Sequence, residues 1–140
     1  MITRLLPLSL LAAAALFSGC SKSSDTSATS GSANHAVADF ATDVIAASQT
    51  TPVIVDFWAE WCGPCKMLKP TIEKAAAEAG DRWKLVAVNV DNHGDLAQQY
   101  GIRSIPNVKL FHKGKVIAEF VGVKSEADLR TWLDANLPKR

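Results

Sequence analysis

Short, continuously apolar runs alternate along the chain with stretches in which apolar side chains recur every three to four positions. Residues 53–57, Val-Ile-Val-Asp-Phe, are apolar but for one acid, the pattern of a central strand buried on both faces. Residues 85–90 form a second such run. Residues 39–48 carry Phe40, Val44 and Ile45 at helical spacing. Residues 65–79 place Leu68, Ile72, Ala75, Ala76 and Ala79 on one side of a helix, with Pro70 inside it, expected to kink it. Residues 96–100 predict a short helix closed by Gly101. Two strands, 108–111 and 116–121, flank His112-Lys113-Gly114-Lys115, a hairpin turn. Ser125, with Asp128 three residues on, caps a last helix whose buried face is Leu129, Trp132, Leu133 and Leu137. The order αβαβα then ββα predicts an α/β fold, a central mixed sheet with helices on both sides.

The first 37 residues do not fit that rhythm. Met1-Ile2-Thr3-Arg4 is a positive start, and residues 5–17 are a Leu- and Ala-rich run too short to span a bilayer comfortably. Residues 1–19 read as a secretory signal peptide; an uncleaved anchor helix is the alternative. Ser18-Gly19 before Cys20 resembles a bacterial lipoprotein box, which implies cleavage before Cys20 and lipidation of it. Phe17 departs from the aliphatic residue usual three places before that cysteine, and an unmodified Cys20 is the competing reading. Lipidation would also account for an odd cysteine in an exported chain. The Ser/Thr/Ala-rich stretch up to residue 37 cannot bury enough surface to fold and reads as a flexible linker, spanning about 20–25 Å. The folded domain is expected over 38–140.

Charge changes the picture little. Fifteen basic residues against 14 acidic ones give a net charge of +1 in 140 residues, dispersed, with nothing to favour a nucleic-acid partner.

The chemistry concentrates at Trp61-Cys62-Gly63-Pro64-Cys65-Lys66, behind one apolar run and ahead of a helix. Two cysteines three positions apart form a dithiol in which Cys65 can attack a bond made by Cys62 with almost no loop to close. At a helix mouth, Cys62 would have its thiolate stabilised by unpaired N–H groups and the dipole. Pro64 suits the first turn. Half a zinc site or a structural disulfide would look the same. Zinc needs more ligands, and Cys20, His35, His93 and His112 are scattered, so no metal is expected. Asp56 is an acid in apolar surroundings. Burial would raise its pKa and let it take the proton of Cys65 through water; a solvated carboxylate at the strand end is the other reading.

Residues 52–66 resemble the thioredoxin family almost position for position. Tyr100-Gly101-Ile102-Arg103-Ser104-Ile105-Pro106 with Val108-Lys109-Leu110-Phe111 matches the family's cis-proline segment, and Gly122 its late glycine. The likeness covers about residues 38–140 and implies a thioredoxin-like fold. It makes Cys62 the attacking nucleophile and more exposed sulfur, Cys65 the resolving thiol, and Asp56 the proton acceptor. It makes Pro106 cis, with Ile105 offering its backbone to an extended target. Trp61, Gly63, Pro64, Val90, Gly122 and Val123 are expected to form the apolar surface around the dithiol, with Lys66 completing the motif; Trp58 is expected in the core. His93 and His112 have no expected role. Two departures stand out. Ala87 aligns where the family often has a lysine beside the carboxyl, so Asp56 should protonate more easily. The family's opening edge strand falls on 31–37, poor strand material, and should be short or missing.

The expectation is a thiol–disulfide oxidoreductase that reduces protein disulfides. It needs no cofactor beyond the Cys62–Cys65 dithiol and is taken to act as a monomer. Its expected location is the periplasmic side of a bacterial envelope, tethered by lipid and fed electrons by an upstream donor such as a membrane thiol transporter, because that compartment is kept oxidising. A disulfide oxidant or isomerase is one alternative; a tethered binding module with an incidental dithiol is another.

Overall fold

The computed structural model describes residues 35–139. The expected signal, lipidated Cys20 and most of the linker lie outside the described residues. Four strands form one sheet in the order β2-β1-β3-β4, with β1 at Val53–Trp58, β2 at Lys84–Asn89, β3 at Asn107–His112 and β4 at Lys115–Val121. β1 runs parallel to β2 and antiparallel to β3, and β3 pairs antiparallel with β4, so the sheet is mixed.

Period-two alternation assigns the core to two sides of this sheet. Ile54, Leu85, Val108, Leu110 and Phe120 point to one side. There they pack against Leu68 and Ile72 of helix α1 (Gly63–Ala79) and Leu129 and Leu133 of helix α3 (Glu126–Asn136). Phe120 meets Trp132 of α3 edge-to-face, ring centroids 4.9 Å apart. Val53, Val55, Phe57, Val86, Val88 and Phe111 point to the other side, with Val44, Leu96 and Tyr100. That side is covered by helix α2 (Gly94–Gln99) and by the opening helical segment. The opening segment is wound wide as a π-helix over Ala41–Ala46 and tightens to a 3₁₀ turn at Ala47–Gln49. Asp39 starts it by accepting hydrogen bonds from the Thr42 N–H and hydroxyl.

The β3–β4 turn has two residues with positive φ, Lys113 at 52° and Gly114 at 75°, as a tight two-residue hairpin requires. A Cβ on Gly114 would lie 2.8 Å from Gln49 Nε2. The Gly114 N–H instead donates to the buried Ser48 hydroxyl, which ties the hairpin to the opening segment. Ser125 caps α3 through the Asp128 N–H at 3.1 Å, a contact typically worth about 1 kcal/mol. Upstream of β1, the expected edge strand is reduced, among the described residues, to a single parallel bridge between Ala36 and Ala87.

Candidate active site

Cys62 is the N-cap residue of α1, in extended conformation with φ −82° and ψ 101°. Its sulfur accepts the Cys65 N–H at 3.1 Å. The sulfur therefore occupies the place where a capping oxygen would satisfy an orphan donor, at the positive end of a 17-residue helix. Pro64 sits in the first turn, where a missing N–H leaves no bond broken. Cys62 and Cys65 are joined as a disulfide, Cα atoms 5.3 Å apart. Ala59, Trp58, Val90 and Ile105 pack around the pair.

The two cysteines are nearly equally covered, 4% and 2% exposed. The expected contrast between an exposed Cys62 and a hidden Cys65 is thus small in the closed disulfide, where both cysteines cluster with Ala59 and Ile105 packs against them. Trp58 is half-buried and packs against the core cluster that contains the dithiol. Trp61 is 69% exposed, and its indole N–H is held by the Asp91 carboxylate at 3.1 Å. Gly63, Pro64 and Lys66 lie on the exposed outer face of the first turn of α1.

The Ile105–Pro106 peptide is cis. Pro106 is buried, Ile105 half-buried against the disulfide, and the Gly122 N–H donates to the Pro106 carbonyl at 2.9 Å. Gly122 has φ 89°, which a side chain would strain, and Val123 beside it is exposed. A groove of about 390 Å³ runs past the dithiol, lined by Trp61, Val90, Ile102, Arg103, Ser104 and Ile105. A larger cleft of about 520 Å³ opens near Pro52, His112 and Leu137; neither cavity is lined by Cys62, Cys65 or Asp56, and only the groove shares residues, Val90 and Ile105, with the packing around the dithiol.

Asp56 lies inside β1 rather than at its end, because the strand continues through Trp58. It is 5% exposed, and its Oδ1 has no hydrogen-bond partner among the described residues. Ala87 flanks it on β2 and Val108 on β3. Burial pushes its pKa from 3.8 to about 7; Glu73 adds to the rise and Lys69 opposes it. The solvated-carboxylate reading fails on this burial. Sequence reasoning missed Lys69, Glu73 and Asp91. The first two were legible as an i, i+4 pair on α1, with Lys69 itself four residues after Cys65. Asp91 carried no local signal.

A buried dithiol at the N-terminus of α1, a carboxyl buried within β1 with its pKa raised to about 7, and a groove beside Ile105 can exchange disulfides with a bound chain. Residues 32–135 match the thioredoxin family model. This chain belongs to the thioredoxin family. It is 48% identical over 98 residues to a thioredoxin of Acidithiobacillus ferridurans, covering 70% of this chain and 89% of the relative. It is 43% identical over 100 residues to a thioredoxin of Pseudomonas aeruginosa, covering 71% of this chain and 91% of that protein. A thioredoxin 1 of Synechococcus elongatus is 44% identical over 86 residues, covering 61% and 80% respectively. The chain is therefore a thiol–disulfide oxidoreductase of the protein-disulfide reductase class.

Proposed function

We propose that this thioredoxin acts outside the cytoplasm, held to a membrane through lipid on Cys20, and delivers electrons to the disulfides of protein targets. The observation that carries the catalytic part is the placement of Cys62 at the mouth of α1 with Asp56 buried and unpartnered within β1. The Cys62 thiolate attacks one sulfur of a target disulfide. The Cys62–target bond forms, and the other target sulfur leaves as a thiolate. Cys65 gives its proton through water to Asp56 and attacks the Cys62 sulfur. The mixed disulfide breaks, the Cys62–Cys65 bond closes, the second target sulfur leaves as a thiolate, and the two target thiolates take one proton from Asp56 and one from water. The closed bond in the structure is the product of that cycle. Two electrons have moved, and an upstream dithiol donor must return them. Ile105 and Pro106, with Val90, Gly122 and Val123, border the path of an extended target.

Insulin disulfide reduction tests the activity, and trapping the thiols of Cys62 and Cys65 in living cells tests the direction. Reductase function requires both cysteines to be mostly reduced in the cell. A pool locked in the disulfide form, with no donor able to open it, overturns the reductase reading. Support for the tether comes from Ser18-Gly19-Cys20 and the polar residues after it.

A further inference from the structure

Ala87 is paired with Asp56 across β1 and β2 and brings no charge to it. Val108, on β3, is no more polar. Among the described residues, the charges that act on Asp56 are Glu73, which raises its pKa, and Lys69, which lowers it, both on α1. The carboxylates of α1 and α3 further along are engaged elsewhere. Glu126 holds Lys74 at 3.0 Å and Arg130 at 2.9 Å, and Glu78 holds Arg130 at 2.5 Å.

Lys69 is docked, not loose. Its Nζ lies 5.4 Å from the centroid of the Trp58 ring and 3.9 Å from Glu73 Oε1. Trp58 is two residues beyond Asp56 on β1, so both side chains leave the same side of the strand. The ring thus seats an ammonium over the strand segment that carries the acid. Helix stability does not explain the pair. Lysine preceding glutamate at i, i+4 is the weaker order for a helix, and an exposed pair contributes little.

We propose that Lys69 is a positioning residue for the Asp56 proton, with Glu73 as its counterweight, and that the two together set the pH at which the acid can serve Cys65. This rests on the relay reading of Asp56 given above. The ammonium favours the carboxylate; the glutamate disfavours it. The side chains of Lys69 and Glu73 are 57% and 41% exposed, so solvent screens both, and each effect should weaken further in salt.

The test uses the full chain with the disulfide closed and reads the Asp56 carboxyl directly by carbon-detected NMR titration. Lys69→Met should raise the Asp56 midpoint by about 0.5, a shift expected of a screened neighbouring charge. Lys69→Arg should leave it near wild type, and Glu73→Gln should lower it. Both shifts should shrink in 1 M salt. Target reduction by Lys69→Met should fall about threefold at pH 6, where the ionised fraction of Asp56 limits the base, and recover by pH 9. An unchanged midpoint in both Lys69→Met and Glu73→Gln overturns the proposal. Failure of the relay reads differently: the midpoint then moves with Lys69 while the rate does not. Should Lys69→Met fail to fold, Glu73→Gln and the salt series still decide the matter.

Discussion

Replacing Asp56 by Asn separates the two things a buried acid does, which are to cost stability and to move a proton. The carboxyl has its pKa raised from 3.8 to about 7 by burial. In the unfolded chain it ionises near pH 4. Between those values the folded state holds a proton that the unfolded state has released, so stability falls as pH climbs from about 4 to about 7 and then levels off. Complete ionisation in place costs roughly 4 kcal/mol, taking 1.36 kcal/mol for each tenfold change in proton affinity. Asn has nearly the same shape and cannot ionise. Asp56→Asn should therefore match wild type near pH 4 and exceed it by about 2–4 kcal/mol above pH 7, with relaxation around the charge reducing the full figure. Guanidinium unfolding of the oxidised protein at pH 4.5, 6 and 8 measures this. Equal pH slopes for the two proteins would show that Asp56 does not retain its proton as the structure requires.

The same substitution tests the proton transfer. Asp56→Asn should reduce target disulfides about tenfold more slowly near pH 7, a modest share of what a general base supplies, because the transfer passes through water. The deficit should close toward pH 9, where Cys65 ionises unaided. Gain in stability together with loss of rate would be the signature of a functional acid. Gain without loss would leave Asp56 a structural residue.

Cys65→Ser should accumulate mixed disulfides between Cys62 and targets, and Cys62→Ser should not; gels run without reductant distinguish them, and the reverse pattern would exchange the two roles. Cys20→Ala should release the protein from membranes or leave its leader uncut, and an unmodified Cys20 in the membrane-bound form, seen by intact mass, would remove the lipid anchor. Lys109 is a buried cation, its side chain 8% exposed, paired with Glu119 on β4. Lys109→Met should be neutral or stabilising, whereas Glu119→Gln should cost about 1–2 kcal/mol by leaving the ammonium alone; chemical unfolding of both measures it.

The fold was legible where one side chain per position decides it. The run from Val53 reads as a strand because Val53, Ile54, Val55 and Phe57 are apolar in near-continuous sequence, and Leu68, Ile72, Leu129 and Leu133 mark faces of helices by spacing alone. Trp83 escaped notice. It is 2% exposed but precedes β2 with no periodic partner to announce it. Lys109 was equally hidden, since nothing local says that a lysine between Val108 and Leu110 will be covered and will find Glu119 across the hairpin. The wide winding of Ala41–Ala46 has the same apolar spacing as an ordinary helix over so few residues, so its pitch was not readable.

At the site, motif and environment were legible to different degrees. Cys62, Cys65, Pro64 and Pro106 are recognised because their chemistry depends on their neighbours in sequence. The pKa of Asp56 depends instead on burial and on neighbours in space, and the charged ones, Glu73 and Lys69, stand on α1. Ala87 was visible as a gap, and the gap predicted an acid that protonates easily. Burial pushes the acid up to about 7, with Glu73 adding to the rise and Lys69 opposing it. The pair on α1 does not replace a strand cation, since Glu73 outweighs Lys69, but it acts on the acid from outside strand, disulfide and groove. Two thioredoxins with the same Trp-Cys-Gly-Pro-Cys-Lys motif can for that reason run the same exchange at different pH, and the residue that sets the difference need not lie in any motif.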